Sequence, residues 1–328
     1  MNHVIITGGA GFIGSHLCER FISAGYAVTA IDNFCTGSKE NIHSLIGNEY
    51  FQIIEADISE PIEKEKISFL RKYGLNGILH FACPASPIDF DKIPFEILKV
   101  DSIGTMHTVE LALEYEARYL LASTSEIYGD PEIHPQTEDY WGNVNTIGPR
   151  ACYDEAKRFS EAYVSTAINA QGTINGKPYT PLNGGMVRIF NTYGPRMRPD
   201  DGRVVPALCT QGLTGKPLTV YGDGLQTRSF CFVTDLVEGI FRYYNSTETI
   251  PINLGNPVEH TVKSFAEIII EMTKSGSSIE FLPARVDDPK RRRPDITRAK
   301  TRLDWIPKVP LEEGLSKTIE FFKSKTRI

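Results

Sequence analysis

The sequence predicts an α/β fold in which a doubly wound parallel sheet carries a smaller C-terminal α/β domain. Three observations support this prediction. Short β-branched runs alternate with helical stretches, a glycine-rich turn joins the first run to the first helix, and the alternation stops after Asn191. Strands that alternate with helices imply βαβ units, and hence parallel strands with right-handed crossovers.

The individual elements follow from these patterns. Runs of β-branched and aromatic residues predict strands at residues 3–7, 26–31, 50–54, 77–81, 118–122 and 186–190. Apolar residues at helical spacing predict helices at residues 14–24, 93–115 and 153–170. Residues 128–150 are rich in Pro, Gly and Asn, which predicts a loop.

Length and composition set the protein class. A chain of 328 residues suggests about two domains at ~150 residues each. With 41% hydrophobic and 23% charged residues it is typical of globular proteins, which excludes disordered, collagen-like and coiled-coil classes. The net charge of −6 argues against non-specific nucleic-acid binding. We find no candidate membrane span and no signal peptide before the first strand, so we expect a cytoplasmic protein with no membrane partner.

The six cysteines are scattered along the chain, with no CxxC pair and no Cys/His cluster at zinc spacing. This pattern predicts neither a metal site nor a disulfide framework.

The glycine-rich turn predicts a dinucleotide site. Gly8, Gly11 and Gly14, with Phe12 and Ile13 between them, follow a strand and open a helix. Glycines at this spacing let the backbone approach a pyrophosphate, and the free N–H groups of the helix N-terminus bind its charge. We therefore predict that residues 1–191 form a Rossmann-type cofactor domain. Residues 192–328 are predicted to form the substrate domain, with 229–255 returning to the first.

Acidic residues at strand ends indicate which dinucleotide binds. Asp32 ends the second predicted strand, where a carboxylate accepts hydrogen bonds from the adenosine ribose and repels a 2′-phosphate. Asn33 follows without a compensating Arg, so NAD is favoured over NADP. Asp57, after the third strand, is a candidate for the adenine amine or a simple turn residue.

A Tyr and a Lys at helical spacing predict the catalytic pair. Tyr153 and Lys157 share one helix face, and Thr124 stands at the end of the fifth strand, where ligands bind in open parallel sheets. The Lys157 ammonium and the nicotinamide charge are expected to lower the Tyr153 pKa, so that the phenol takes a proton from a substrate hydroxyl. Thr124 is expected to hydrogen-bond that hydroxyl.

Motifs along nearly the whole chain carry a resemblance to a known family. They are TGGAGFIGSHL at residues 7–17, HFACPASP at 80–87, STSEIYGDP at 123–131, YDEAK at 153–157, RIFNTYGPRM at 188–197 and VYGDGLQTRSF at 220–230. The set resembles the extended short-chain dehydrogenase/reductase family, which modifies nucleotide sugars. Within that family it is most similar to the UDP-glucuronic acid decarboxylases, also called UDP-xylose synthases.

The resemblance implies a reaction and its residues. UDP-glucuronic acid is oxidised at C4, loses CO2 from the resulting β-keto acid, and is reduced to UDP-xylose with NAD regenerated. A homodimer paired through the helices at 93–115 and 153–170 is also implied. The implied catalytic residues are Tyr153, Lys157, Thr124, Ser125, Glu126 and Arg292, and the implied substrate contacts are Pro84, Ser86, Asn191, Tyr221, Arg228 and Arg292.

Three alternatives stay open. A UDP-glucuronate 4-epimerase uses the same intermediate, but such epimerases have Ser in place of Glu126. A 4,6-dehydratase needs an Asp acid where this chain has Ser125. A non-catalytic NAD- or UDP-sugar-binding regulator does not need the Tyr153 and Lys157 pair.

Two departures from the family pattern stand out. Residues 168–185 form a longer link than usual, which we interpret as a surface insertion, and Asp101 stands where the family usually has Asn. The segment 285–302 carries eight Lys or Arg and three Asp residues, a local excess that suits an anionic substrate.

Overall fold

A computed structural model describes residues 1–170, 173–174, 177–178, 180–284 and 289–325. Part of the predicted insertion (171–172, 175–176 and 179) and the start of the basic segment (285–288) lie outside these residues. In chain order the strands are β1 (His3–Thr7), β2 (Ala27–Asp32), β3 (Phe51–Glu55), β4 (Gly77–His80), β5 (Arg118–Thr124), β6 (Thr173–Ile174), β7 (Lys177–Pro178), β8 (Gly184–Ile189), β9 (Thr192–Tyr193), β10 (Leu218–Tyr221), β11 (Thr227–Ser229), β12 (Cys231–Phe232), β13 (Ile252–Leu254), β14 (Glu259–Thr261), β15 (Ile279–Leu282) and β16 (Arg291–Arg292).

The helices mostly cover the faces of the main sheet. In chain order the α-helices are α1 (Phe12–Ser23), α2 (Ser68–Tyr73), α3 (Pro87–Lys92), α4 (Pro94–Lys99), α5 (Thr105–Glu114), α6 (Ala151–Asn169), α7 (Val204–Leu213), α8 (Val233–Tyr244), α9 (Val262–Thr273), α10 (Thr297–Leu303) and α11 (Leu311–Lys325). Short 3-10 turns lie at Lys39–Leu45, Lys64–Lys66 and Ser125–Tyr128, and one π-turn lies at Val100–Gly104. No helix in the described ranges is long and apolar enough to cross a membrane.

The central sheet has seven parallel strands in the order β13-β8-β5-β4-β1-β2-β3. This is the doubly wound α/β fold that the sequence predicts. β1 and β2 are buried along their whole length, as is typical of a parallel sheet covered by helices, whereas the edge strand β3 is only partly buried. The strand order reverses between β1 and β4, so the loops after these two strands diverge and leave a crevice at their carboxyl ends.

The first helix is fixed by aromatic packing. Phe21 of α1 makes edge-to-face contacts with Phe241 and Tyr244 of α8, each with ring centroids 5.1 Å apart. Because α8 comes from the C-terminal half of the chain, this contact brings later residues back onto the first helix. β13 likewise joins the main sheet beside β8. The domain boundary at residue 191 stays a prediction.

A π-turn divides the helix that the sequence predicts over residues 93–115. Val100–Gly104 separates α4 from α5, and the Asp101 carbonyl accepts a hydrogen bond from the Ser160 hydroxyl of α6 at 2.5 Å. Apolar spacing alone does not reveal such a break, because both halves keep their buried faces. The turn places the Asp101 side chain in the interior, where it is fully buried.

The remaining short strands form small sheets beyond the carboxyl edge of the main one. β11 pairs with β14 and β16, β10 pairs with β15, and β9 pairs with β12. The β11–β16 pairing sets Arg228 directly beside Arg292. Two arginines that are far apart in sequence are therefore aligned at one edge of the crevice.

Candidate active site

One cleft of about 1020 Å³ runs along the carboxyl ends of the central strands. It contains every site residue that the sequence predicts. These are Gly8, Gly11, Phe12, Ile13, Gly14, Asp32, Asn33, Asp57, Pro84, Ser86, Thr124, Ser125, Glu126, Tyr153, Lys157, Asn191, Tyr221, Arg228 and Arg292. The cleft is therefore long enough to join the glycine turn at one end to the two arginines at the other.

The glycine turn is shaped for close backbone approach. Gly8 has φ +69°, and a side chain there would meet the Phe81 carbonyl at 2.7 Å. A Cβ on Gly14 would collide with the Gly8 carbonyl, so the start of α1 lies directly on the turn. Gly11 precedes the helix without a side-chain cap, which leaves its first amides available to an anion.

Asp32 holds this turn as well as lining the cleft. Its carboxylate accepts hydrogen bonds from the backbone amides of Ala10 and Phe34, each at 2.8 Å. Burial raises the pKa of Asp32, and these amides oppose the shift. Asn33 donates to Asp57 at 3.0 Å, so the predicted adenosine-side residues form one connected rim.

Tyr153 and Lys157 lie one helical turn apart on α6. The Tyr153 ring stacks on Phe90 with centroids 5.1 Å apart, and its hydroxyl lies beside the Thr124 side chain. Burial raises the pKa of Tyr153 above its ordinary value, whereas Lys157 and the Thr124 hydroxyl lower it. The Lys157 effect has the predicted sign, but burial outweighs it in the protein alone.

Lys157 is held by two acceptors. Its ammonium donates to Asp101 at 2.8 Å and to the Ala122 carbonyl at 3.1 Å. Although burial lowers the pKa of this lysine, the neighbouring groups, Asp101 first among them, together raise it above its ordinary value. The ammonium beside Tyr153 is therefore a permanent charge.

Glu126 lies between two guanidinium groups. Arg150 donates to its carboxylate, and Arg292 approaches the same oxygen at 3.4 Å. Although burial alone raises the pKa of Glu126, Arg292 and Arg150 lower it well below the ordinary range. Glu126 is therefore an anion in the protein alone, rather than a proton donor.

Arg292 also fixes the turn that carries the predicted Ser125 and Glu126. It is 1% exposed and donates to the carbonyls of Ser125 and Gly129, the latter at 3.0 Å. A buried guanidinium satisfied by carbonyls and a carboxylate orients the turn rigidly.

Sequence reasoning missed Arg150 and Asp154, which lie beside this group. Arg150 lines the cleft, and its Nε lies 3.9 Å from Asp154 one turn along α6. Burial and the Glu126 carboxylate raise the pKa of Asp154, and its Oδ1 has no hydrogen-bond partner. Both residues occur in GPRACYDE, but their charge partner Glu126 comes from the 3-10 turn after β5, which spacing does not reveal.

The substrate end of the cleft is built from loops. The Ser86 hydroxyl donates to the Asp201 carbonyl, and Gln226 donates to the Tyr221 carbonyl at 2.7 Å. The Asn191 carbonyl accepts a hydrogen bond from the Cys231 amide at 2.9 Å, which fixes the start of the substrate end of the cleft. Three further arginines that the sequence did not single out also line the cleft, at positions 196, 198 and 203.

Comparisons with known proteins agree with this geometry. The model of the NAD dependent epimerase/dehydratase family matches residues 4–255. UDP-glucuronic acid decarboxylase 1 of Danio rerio is 50% identical over 319 residues, covering 97% of this chain and 72% of that protein. UDP-glucuronic acid decarboxylase 6 of Arabidopsis thaliana is 46% identical over 321 residues, covering 98% and 88%.

A solved structure shows the same architecture with ligands. UDP-glucuronic acid 4-epimerase from Bacillus cereus, in complex with UDP-glucuronic acid and NAD, superposes with a TM-score of 0.85. It is 26% identical, and the match covers 98% of this chain and 99% of that one.

Proposed function

The chain belongs to the NAD-dependent epimerase/dehydratase family, and on that premise we propose that its cleft converts UDP-glucuronic acid to UDP-xylose and CO2. The observation that carries this function is the similarity, over nearly the whole chain, to UDP-glucuronic acid decarboxylases of animals and plants at 44–50% identity. The protein is an NAD-dependent lyase of the extended short-chain dehydrogenase/reductase type.

The residues present fit NAD. A side chain at Gly8 or Gly14 would fill the space that the turn keeps open, and the uncapped amides at the start of α1 suit a pyrophosphate. The cleft rim carries the Asp32 carboxylate and no basic residue immediately after it, which disfavours a 2′-phosphate. When bound, NAD+ supplies a reversible hydride acceptor for the C4 carbon of the sugar.

Tyr153 moves the proton of the C4 hydroxyl. In the oxidation, the C4–H bond breaks with loss of a hydride while the phenolate oxygen takes the hydroxyl proton. In the final reduction, C4 regains a hydride and the same phenol returns the proton to the oxygen. Thr124, whose side chain lies beside the Tyr153 hydroxyl, is placed to orient the C4 hydroxyl of the sugar, and Lys157 supplies the charge that favours the phenolate.

The carboxylate is lost between these two steps. With a ketone at C4, the C5–C6 bond breaks, CO2 leaves, and the bonding electrons move into the C4 carbonyl as an enolate. Thr124 and the Tyr153 hydroxyl stabilise that oxyanion. A proton added at C5 completes the balance, so one proton is consumed for each CO2 released. We infer that Arg292 and Arg150 hold the anionic end of the sugar, with Glu126 fixing both guanidinium groups.

Ser125 argues against dehydration. Expulsion of hydroxide from C6 needs an acid at that position, and a serine hydroxyl is too weak to serve. Neither does the neighbouring Glu126 replace it, because the two arginines keep it ionised.

The test is incubation of the purified protein with UDP-glucuronic acid and catalytic NAD+, followed by mass spectrometry and proton NMR. We expect a nucleotide sugar that is lighter by CO2, with xylose couplings. An unchanged mass with galacturonate couplings would identify a 4-epimerase. No turnover, with NAD and UDP-sugar both bound, would favour the binding-only alternative.

We further propose a homodimer formed through α4 and α6. Phe95 of α4 is 72% exposed and Phe159 of α6 is 41% exposed, on two helices that pack against each other. These apolar side chains lie on the surface that the family resemblance assigns to pairing.

We also propose that the protein works in the cytoplasm. All six cysteines are free thiols, which suits a reducing compartment. Fractionation of cells that express a tagged chain tests this location.

A further inference from the structure

The two arginines at the substrate end of the cleft are carried by a small sheet in the order β14-β11-β16. Arg228 of β11 is paired directly with Arg292 of β16, and on the other side of β11 Glu259 of β14 is paired with Ser229. Successive side chains of a strand point to opposite faces of its sheet. Arg228 and Arg292 therefore share the face that lines the cleft, and Glu259 lies on the back face.

Glu259 contacts the sequence neighbours of both arginines. Its Oε1 accepts a hydrogen bond from the Thr227 hydroxyl at 2.5 Å, and Thr227 immediately precedes Arg228. Its Oε2 lies 3.7 Å from Nη1 of Arg293, which immediately follows Arg292. One carboxylate on the back face thus joins the two strands that present the arginines.

A third contact joins Glu259 to the loop that follows the Ser125–Tyr128 turn. His134 Nε2 lies 3.0 Å from Glu259 Oε2, and both side chains are largely shielded from water. The same loop is held along the end of β16, because the Gln136 amide donates to the Arg293 carbonyl at 2.9 Å. With partners from three segments of the chain, the carboxylate is a fixed junction rather than a mobile surface group.

The strand pairing that Glu259 supports is unfavourable by itself. Arg228 and Arg292 are like charges directly opposite each other on strands about 4.8 Å apart, which destabilises the pairing. β16 has only two residues, so few hydrogen bonds between strands resist this repulsion. The contacts of Glu259 oppose the separation of the two strands from the back face, and they leave the arginine charges that face the cleft free to bind an anion.

We propose that Glu259 is a positioning residue that holds Arg228 and Arg292 at the separation required by a substrate with two anionic groups, a diphosphate and a sugar carboxylate. This inference rests on the proposed function, in which Arg292 holds the carboxylate. Arg228 is the neighbouring guanidinium group that a phosphate can reach. A ligand that must contact both groups depends on their separation, whereas a ligand that contacts one group does not.

The experiment measures the binding of UDP-glucuronic acid and of UDP to the NAD-loaded protein by calorimetry, with and without Glu259→Ala. Both proteins also carry Tyr153→Phe, so that the ligand is not turned over during the titration. We expect the dissociation constant of UDP-glucuronic acid to rise by about tenfold, and that of UDP, which lacks the carboxylate, by about threefold at most. Equal losses for the two ligands, or no loss, would overturn the proposal.

The same titrations separate positioning from a loss of folded protein. A smaller folded fraction lowers the number of binding sites but leaves the dissociation constant unchanged, and that result would show that Glu259 supports the fold alone. Glu259→Gln keeps an acceptor for the Thr227 hydroxyl, so it should lose less affinity than Glu259→Ala. Glu280→Ala removes an exposed carboxylate from β15 in the adjacent small sheet, and this control should bind both ligands as before.

Thr227→Val covers the case in which Glu259→Ala does not fold. It removes the hydroxyl that Glu259 accepts from, and it should weaken UDP-glucuronic acid more than UDP. Combined with Glu259→Ala it should add little, because both variants break the same contact, and fully additive losses would overturn the junction. Product analysis of the wild type is independent of these titrations, so failure of the proposed decarboxylation is recognised separately.

Discussion

At the scale of single residues, the site separates proton transfer from the recognition of charge. Tyr153 and Thr124 lie side by side in the cleft, while Glu126, Arg150 and Arg292 form a charged cluster. The two groups are expected to respond differently to substitution.

Tyr153→Phe tests the proton carrier. The ring should still stack on Phe90, so NAD binding should be retained within a few-fold while turnover falls by about 10²–10⁴. Turnover measured by product analysis, with NAD affinity measured by calorimetry, checks this. Retention of more than a tenth of wild-type turnover would contradict the assignment.

Arg292→Ala tests the charged cluster. We expect turnover with UDP-glucuronic acid to fall by about 100-fold, because the anionic end of the sugar loses one of its two guanidinium groups, whereas NAD affinity should change little. Steady-state kinetics and NAD titration measure the two effects. Arg291→Ala, in the same strand but with an exposed side chain, is the matched control and should behave as wild type. Equal losses of turnover and NAD binding would mean that Arg292 supports the fold rather than the sugar.

Asp154→Asn tests whether folding raises the pKa of the buried Asp154 carboxyl. A carboxyl whose pKa is raised by folding contributes stability at low pH and loses it as pH rises through the folded pKa. The variant lacks this titrating carboxyl. The difference between its melting temperature and that of the wild type should therefore rise by about 2–4 °C from pH 5 to pH 8. Thermal melts in a buffer series measure this, and a difference that is independent of pH would show that Asp154 is ionised throughout.

Sequence patterns identified the residues of the cleft better than their partners. The glycine turn and the Tyr–Lys pair could be found because strand ends and helical spacing bring them to one edge, whereas Arg292 was indicated only by the family resemblance. The contacts of Asp101, Arg150 and Asp154 could not, since each depends on a partner from a different element. The same limit applies to the basic segment, where Arg292 is buried and its neighbour Arg291 is exposed.

At the scale of elements, local signals predicted each strand of the main sheet up to β8, but not short strands or irregular helix. β13 has three residues, too few for a pattern to show. The π-turn keeps the apolar spacing of its neighbours, so it could not be separated from them. The junction of β1 with α1 could be predicted, because glycine spacing there directly reflects a steric requirement.

Gly14→Ala tests that junction. The added Cβ would collide with the backbone of Gly8, so α1 must move away from β1. We expect NAD affinity to fall by at least about tenfold and the melting temperature to fall as well. Gly276→Ala is the control, since a Cβ there meets nothing within 4 Å. NAD titration and thermal melts measure both variants, and wild-type NAD affinity in Gly14→Ala would refute the role of this glycine.

At the scale of the whole molecule, the cleft lies between elements that are distant in the chain, so its shape depends on how the C-terminal segments return to the sheet. α8 packs on α1 and β13 extends the sheet, while β16 brings Arg292 to the turn after β5. The alternation of strands and helices predicts the sheet, but it does not determine where the segments after Asn191 dock.

Exposed aromatic side chains on α4 and α6 bear on how the molecule assembles. Phe95 and Phe159 are exposed on α4 and α6, and α6 also carries Tyr153 and Lys157. A partner that covers these helices would remove apolar area from water and would also stiffen the helix that holds the proton carrier. Assembly and activity should therefore be linked through α6.

The double variant Phe95→Glu with Phe159→Glu tests this link. Charges on an otherwise apolar contact must be desolvated on pairing, so we expect a monomer at micromolar concentration where the wild type is a dimer. Sedimentation velocity measures the state, and product analysis on the same samples measures turnover. Ile306→Glu, at an exposed apolar residue of the C-terminal region, is the matched control and should stay dimeric. A wild type that sediments only as a monomer would refute the dimer. A monomeric variant with full turnover would show that the pairing surface and the proton carrier act independently, although they share one helix.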